Sequence, residues 1–152
     1  MRSPKHEAAS FAAPASTVFG HALGVVQSKK AMSILAVHNE GRKLVVFEKS
    51  KMSNPKIYVI NVEGQGAQSV LHVVAGADPR MRGALLDGML NQKGAAKFVV
   101  SVQEAASGAM AAPSTPVPNH YMQKKQQIPW EDPNVEPDIQ LGFSWLGLAS
   151  HT

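Results

Sequence analysis

The chain contains no cysteine. That excludes a disulfide framework, thiolate-ligated zinc, iron–sulfur clusters and a cysteine nucleophile, and it fits a cytoplasmic setting. Aromatic residues make up only 6% of the 152 positions, so a core has to rest on Val, Ile, Leu, Met and Ala. No apolar run approaches the ~20 residues of a membrane span, and no membrane association is expected. Met1-Arg2-Ser3-Pro4-Lys5-His6-Glu7 leads into Ala, Ser and Pro, not into the apolar stretch of a secretory signal peptide. Acidic residues are sparse as well: 11 Asp and Glu stand against 15 Lys and Arg, a formal net charge of +4. This mild excess permits nucleic acid or an acidic partner without demanding either.

What remains is 44% hydrophobic, enough for one globular domain between tails. Residues 1–16 are rich in Ala, Ser and Pro, lack periodicity, and read as a flexible N-terminal arm. Residues 105–127, with Pro113, Pro116 and Pro118 among small residues, have linker composition. Residues 128–152 form an acidic–apolar C-terminal tail. Between these flanks, residues 17–104 read as a β-rich domain.

Thr17–Gln27 suggests a first strand, weakened by Gly20 and Gly24. Ser33–His38 and Lys43–Glu48 read as a hairpin around Asn39-Glu40-Gly41-Arg42, where Asn and Gly tolerate positive φ. Ile57–Glu63 alternates with both faces largely apolar, as a central strand would, and Ser69–Ala75 reads as its neighbour. A single helix is expected from Asp78 and Pro79, a cap followed by a tolerated first-turn proline. Met81, Ala84, Leu85, Gly88 and Met89 give it an apolar face, and Gly94 a stop. Ala96–Gln103 completes the set as a strand. The expected fold is mainly β with one helix, a small barrel or curved antiparallel sheet.

Catalytic signatures are scarce. His21, His38 and His72 fall in expected strands without short ligand spacing. Glu40, Glu48, Glu63, Asp78 and Asp87 are scattered, and Asp78 serves as a cap. Gly64-Gln65-Gly66 has neither the third glycine nor the following helix of a dinucleotide loop. The protein is therefore expected to be non-catalytic, with no cofactor. The strongest remaining signal is a basic stretch: Lys29, Lys30, Arg42, Lys43, Lys49, Lys51 and Lys56, with Phe47 and Tyr58 among them. Lysines neutralise phosphates and rings stack on bases, the chemistry that single-stranded nucleic acid requires. The alternative is that the lysines solvate loops or guard edge strands and that both rings are core.

The tail is the second signal. Trp130 and Trp145 are the chain's two tryptophans, and with Phe143 and Leu146 they sit among Glu131, Asp132, Glu136 and Asp138. Such residues are costly to leave exposed and are expected to dock on the protein's own body, on a neighbouring subunit or on another protein.

The layout of domain, linker and acidic–apolar tail resembles that of bacterial and phage single-stranded-DNA-binding proteins. The local likeness lies in Leu71-His72-Val73-Val74-Ala75, a short helix, then Lys93-Gly94 before Lys97-Phe98-Val99-Val100. The resemblance implies an OB-fold, a homo-oligomer, single-stranded DNA as ligand and a protein partner for the tail. On this reading the seven basic residues contact phosphates, Phe47 and Tyr58 stack on bases, and Trp130, Phe143, Trp145 and Leu146 bind the partner. The rival is a structural or assembly protein, such as a virion or multi-subunit component, whose arms dock on neighbouring subunits. A third reading, a small enzyme, would need two of His21, His38 and His72 to converge.

Overall fold

The structure, a computed structural model, describes residues 2–51, 53–77, 87–108, 117–123 and 126–132. The part of the chain rich in β-branched residues forms four consecutive strands of one sheet, and the remaining elements arrange themselves around it. In chain order these are β1 (Arg2–Phe11), α1 (Ala15–Ser28), β2 (Met32–His38), β3 (Lys43–Glu48), β4 (Lys56–Gln65), β5 (Gln68–Ala77), α2 (Asp87–Ala106), β6 (His120–Gln123) and β7 (Gln126–Ile128). The sheet has seven strands in the order β1-β5-β4-β3-β2-β6-β7, with every neighbouring pair antiparallel. The order does not return on itself. Among the described residues the sheet is open: the expected mainly β architecture with an antiparallel sheet is present, the OB-like barrel alternative is not, and there are two helices where one was expected.

The meander β2 to β5 follows the sequence reading closely. β3 covers the expected residues, and the β4–β5 hairpin turns through Gly66 and Ala67 between the paired Gln65 and Gln68. Gly66 has φ 69°, at the position where a type II′ turn requires glycine. The β2–β3 connection differs in detail. Its residue with positive φ is Arg42, at 53°, and neither Asn39 nor Gly41. The Arg42 side chain is held there by the carbonyls of Glu40 and Val62.

Three expectations are corrected. Residues 2–11 are an edge strand rather than an arm, paired along β5 from Phe11↔Ser69 to Arg2↔Ala77, with a register shift between Arg2 and Lys5. Pro4 lies in that interruption, and an edge position with a bulge is where a strand tolerates proline. Thr17–Gln27 is helical, because Val18, Ala22, Val25 and Val26 form one buried stripe at helical spacing. The strand expected at 96–103 is the second half of α2, with Ala95, Phe98, Val99, Val102 and Ala105 buried along one side. Gly94 accordingly lies inside a helix and does not stop one. The start expected for that helix, Asp78 and Pro79 with Met81, Ala84 and Leu85, lies outside the described residues.

Both helices cover the same face of the sheet. Val18, Phe19 and Val26 of α1 and Phe98 and Val102 of α2 pack on Leu44, Val46, Tyr58, Ile60, Leu71 and Val73. Each fully buried aliphatic or phenyl side chain contributes about 1.5–3 kcal/mol. The outer face carries a smaller cluster: Ala36, Val45, Ile57, Val59 and Val74 are covered by Trp130, which is only 3% exposed. Parts of the expected linker and tail thus belong to the sheet and its outer layer. Among the described residues no helix is long and apolar enough to cross a membrane.

Candidate ligand-binding cavity

One end of the inner face departs from the aliphatic pattern. Met32, Glu48 and Lys56 are cross-strand neighbours on β2, β3 and β4, and Tyr58 follows Lys56 on the same face. Above them passes α2. Leu90, Lys93, Gly94 and Lys97 fall at spacings of three, four and seven, so they share the side of the helix that looks down on this corner. Lys29, the residue that ends α1, closes the third side. These residues, with Phe98, line a cavity of about 210 Å³ that is open to solvent on one side.

Its floor is the Tyr58 phenol. The ring is 1% exposed, lies 5.9 Å from Phe98 between centroids, and donates its hydroxyl to Glu48 Oε1 at 2.7 Å. Burial, then the negative charge and hydrogen bond of Glu48, push the phenol pKa far up, so Tyr58 stays a neutral donor. The helix can pass this close because residue 94 is glycine: a Cβ there would stand 2.6 Å from the Tyr58 hydroxyl oxygen.

The walls are cationic. Lys29, Lys56, Lys93 and Lys97 line the cavity, with Glu48 as its one carboxylate among the described residues. The Lys29 amine donates to Ser101 Oγ at 3.4 Å. Burial and the nearby Lys97 lower its pKa, against the opposing pull of Glu48 and Glu104. The cavity therefore combines an excess of positive charge with an apolar lining of Met32, Leu90 and Phe98 over a neutral phenol. That combination suits a small organic anion.

The basic stretch of the sequence does not converge. Lys29 and Lys56 line this cavity, and Tyr58 is buried beneath it, where it cannot stack on a base. Lys30, Lys49 and Lys51 surround a separate, shallow hollow of about 460 Å³ with Phe47, which belongs to the outer apolar cluster. Arg42 stands at the opposite end of β3 from Glu48, and Lys43 faces Asp132 there, its pKa lowered by burial against that carboxylate's pull. The two aromatic platforms thus occupy opposite faces of the sheet, because Phe47 and Tyr58 have opposite parity in adjacent antiparallel strands.

The histidines are also separated. His21 is on α1. His38 accepts the Gly41 N–H on Nδ1 at 2.7 Å and its Nε2 bonds the Glu131 carbonyl oxygen at 2.8 Å, which ties the segment after β7 to the β2 turn. His72 stacks on His6 across β5 and β1, with Nδ1 3.1 Å from His6 Nε2 and Nε2 3.4 Å from Glu63 Oε2. Among the described residues no group of three such side chains is placed to hold a metal ion. Trp130 packs edge-on against His38, so its docking site is the protein's own sheet. Phe143, Trp145 and Leu146 lie outside the described residues. Sequence reasoning missed Lys93, Gly94 and Lys97 as a site. The available signal was the four-residue spacing of the two lysines, hidden by reading 96–103 as a strand.

No family model matches this chain, and no curated protein does. Among solved structures it is similar to DynU16, a protein of the dynemicin biosynthetic locus, with a TM-score of 0.52 and 12% identity, over 75% of this chain and 50% of that one. The chain thus spans half the length of DynU16. Two further matches are the di-domain ARO/CYC BexL from the BE-7585A biosynthetic pathway (TM-score 0.41, 10% identity, 73% of this chain and 44% of that one) and a START superfamily protein from Mycobacterium smegmatis (0.38, 16%, 70% and 95%). The DynU16 likeness shows a shared fold. That fold, an open antiparallel sheet with two helices on one face, is not the OB barrel that the resemblance to single-stranded-DNA-binding proteins implies, and the resemblance is corrected. With it go the reading of single-stranded DNA as ligand and the phage attribution. The sheet is open, the basic residues point to separate places, and one of the two expected stacking rings is sealed inside.

Proposed function

We propose that the protein binds a small organic anion in the cavity between α2 and the β2–β3–β4 corner of the sheet. The observation that carries this reading is the meeting of Lys29, Lys56, Lys93 and Lys97, from three separate parts of the chain, around one carboxylate and a buried phenol. Lysine side chains crowded at one site repel one another where they are charged, and an anionic ligand relieves that repulsion. The size also fits. A cavity of roughly 150 Å³ holds benzene, so about 210 Å³ accommodates one small ring or a short chain with its acid group. Larger ligands need movement of Leu90 or of the lysine side chains at the rim. The origin of DynU16 in a biosynthetic locus is in keeping with a small organic molecule as ligand.

The test is calorimetric titration with benzoate and phenyl phosphate, with benzyl alcohol as a neutral control, at low and moderate salt. Both acids bind and the alcohol does not, and affinity falls as salt rises. Lys93→Glu with Lys97→Glu lowers affinity at least tenfold while the melting temperature stays near that of the wild type. Equal binding of acid and alcohol, or affinity indifferent to the double charge reversal, would remove the cavity as an anion site.

A further inference from the structure

We propose that Lys29 is a nucleophile within this cavity, forming a Schiff base with a small aldehyde or ketone that also carries an anionic group. The inference rests on the anion-binding reading above and goes beyond it by naming the ligand's second functional group.

Three observations place the amine for this chemistry. Lys29 is half-buried at the end of α1, and its side chain lines the cavity instead of reaching into solvent. Among the described residues its hydrogen-bond partner is the Ser101 hydroxyl at 3.4 Å. Glu48, the carboxylate of the cavity wall, accepts the Tyr58 hydroxyl. Lys97 on α2 lies near enough to act on Lys29 by charge, and after burial it is the second cause that lowers the amine's pKa from the ordinary lysine value, against the pull of Glu48 and Glu104. A lysine desolvated beside a second cation is the arrangement that makes an amine nucleophilic near neutral pH. Lys93 and Lys97 are exposed, and with Lys56, half-buried like Lys29, they suit the ligand's anion.

The step balances without a further reactant. The unprotonated fraction of Lys29 attacks through nitrogen at the carbonyl carbon, the carbonyl π electrons pass to oxygen, a proton from an ammonium such as that of Lys97 completes the hydroxyl, and nitrogen returns one of its two protons to the Lys97 amine to leave a neutral carbinolamine. The carbinolamine then loses that hydroxyl with a proton as water, while nitrogen gives up its remaining proton and the carbon–nitrogen double bond forms. Amine and carbonyl yield imine and one water, with no change in oxidation state.

The experiment uses the full chain with glyoxylate as probe and cyanoborohydride to fix any imine as a secondary amine. Sites are read by peptide mass mapping between pH 7 and 9, and benzoate binding to the wild type is measured in parallel. Lys29 is expected to be labelled at least tenfold faster than other lysines at pH 7, with saturation in glyoxylate and suppression by benzoate. Its labelling levels off at lower pH than that of an ordinary lysine, which loses about tenfold in free amine per pH unit below its pKa. Lys29→Arg abolishes the fast label, and acetaldehyde, which lacks the anion, labels Lys29 at least tenfold more slowly. Benzoate binding without preferential labelling of Lys29 overturns the nucleophile and leaves the anion site standing. Failure of both overturns both. Equal labelling by acetaldehyde overturns the assignment of an anionic carbonyl compound.

Discussion

Replacing Gly94 with alanine tests the contact that shapes the cavity. In an exposed helix this substitution stabilises by about 1 kcal/mol, because alanine loses less backbone freedom. At this position the new methyl group would lie 2.6 Å from the Tyr58 oxygen and 3.2 Å from Lys56 Cδ. The lysine methylene can swing aside. The phenol is packed beneath Phe98 and cannot move freely. Overpacking of this kind costs about 1–3 kcal/mol. Moving the hydroxyl away from Glu48 also weakens a hydrogen bond to a charged acceptor, worth about 1.5–3 kcal/mol. The balance is a net destabilisation of about 2 kcal/mol, or a fall in melting temperature of about 8 °C for a domain of this size. Thermal denaturation followed by circular dichroism reads it. The decisive comparison is the same substitution in a Tyr58→Phe background, where the clashing oxygen is gone. There Gly94→Ala should stabilise by about 1 kcal/mol, the ordinary helical value. If Gly94→Ala stabilises the wild type, or if its sign is the same in both backgrounds, the close approach of helix and phenol is wrong.

Trp130→Ala should destabilise by about 3–5 kcal/mol in urea titration, since it uncovers the outer cluster; a loss below about 1 kcal/mol would show that Trp130 is not the cover. Arg42→Gly should raise stability by about 1 kcal/mol by relieving the left-handed backbone at that turn, and a loss would mean that the side-chain bonds to Glu40 and Val62 outweigh the strain. His6 supplies a pH test. Burial first, and then the facing His72, lower its pKa below the ordinary value of about 6.5 against the pull of Glu7. The unfolded chain therefore takes up this proton at higher pH than the folded one. The stabilisation is whole above about 6.5 and is lost as pH falls through the folded pKa. His6→Gln should flatten the dependence of the urea midpoint on pH below 6.5, and identical slopes in both proteins would refute the assignment.

The parts of the fold legible in the sequence were those whose side chains answer to one sheet. β3 and the β4–β5 hairpin read correctly because β-branched residues alternate between turn residues. α1 was misread because Val18, Val25 and Val26 are individually strand-like, while their spacing, which burial on the sheet enforces, is helical. The second half of α2 was misread for the same reason: Phe98, Val99 and Val100 look like a strand until Ala95, Val102 and Ala105 are counted with them. β1 was hidden by its charges and Pro4, which an edge strand accommodates. The cavity inherits these errors. Lys29 and Lys56 were visible as charges, but their partners Lys93 and Lys97 stand on the helix face that the reading divided.

The pairing of β1 with β5 has a consequence for how the protein comes into being. His6 meets His72, 66 positions later in the chain. At synthesis rates of about 5–20 residues per second, β1 waits roughly 3–13 s for the strand it will join. Its early emergence gives it no kinetic advantage, since closing so long a loop is among the slower events of folding. During that interval it is an unpaired strand in a crowded surrounding. Arg2, Pro4, Lys5 and Glu7 make it a poor template for other chains. The features that conceal the strand β1 in the sequence are those that keep a nascent chain from aggregating before its partner has been made.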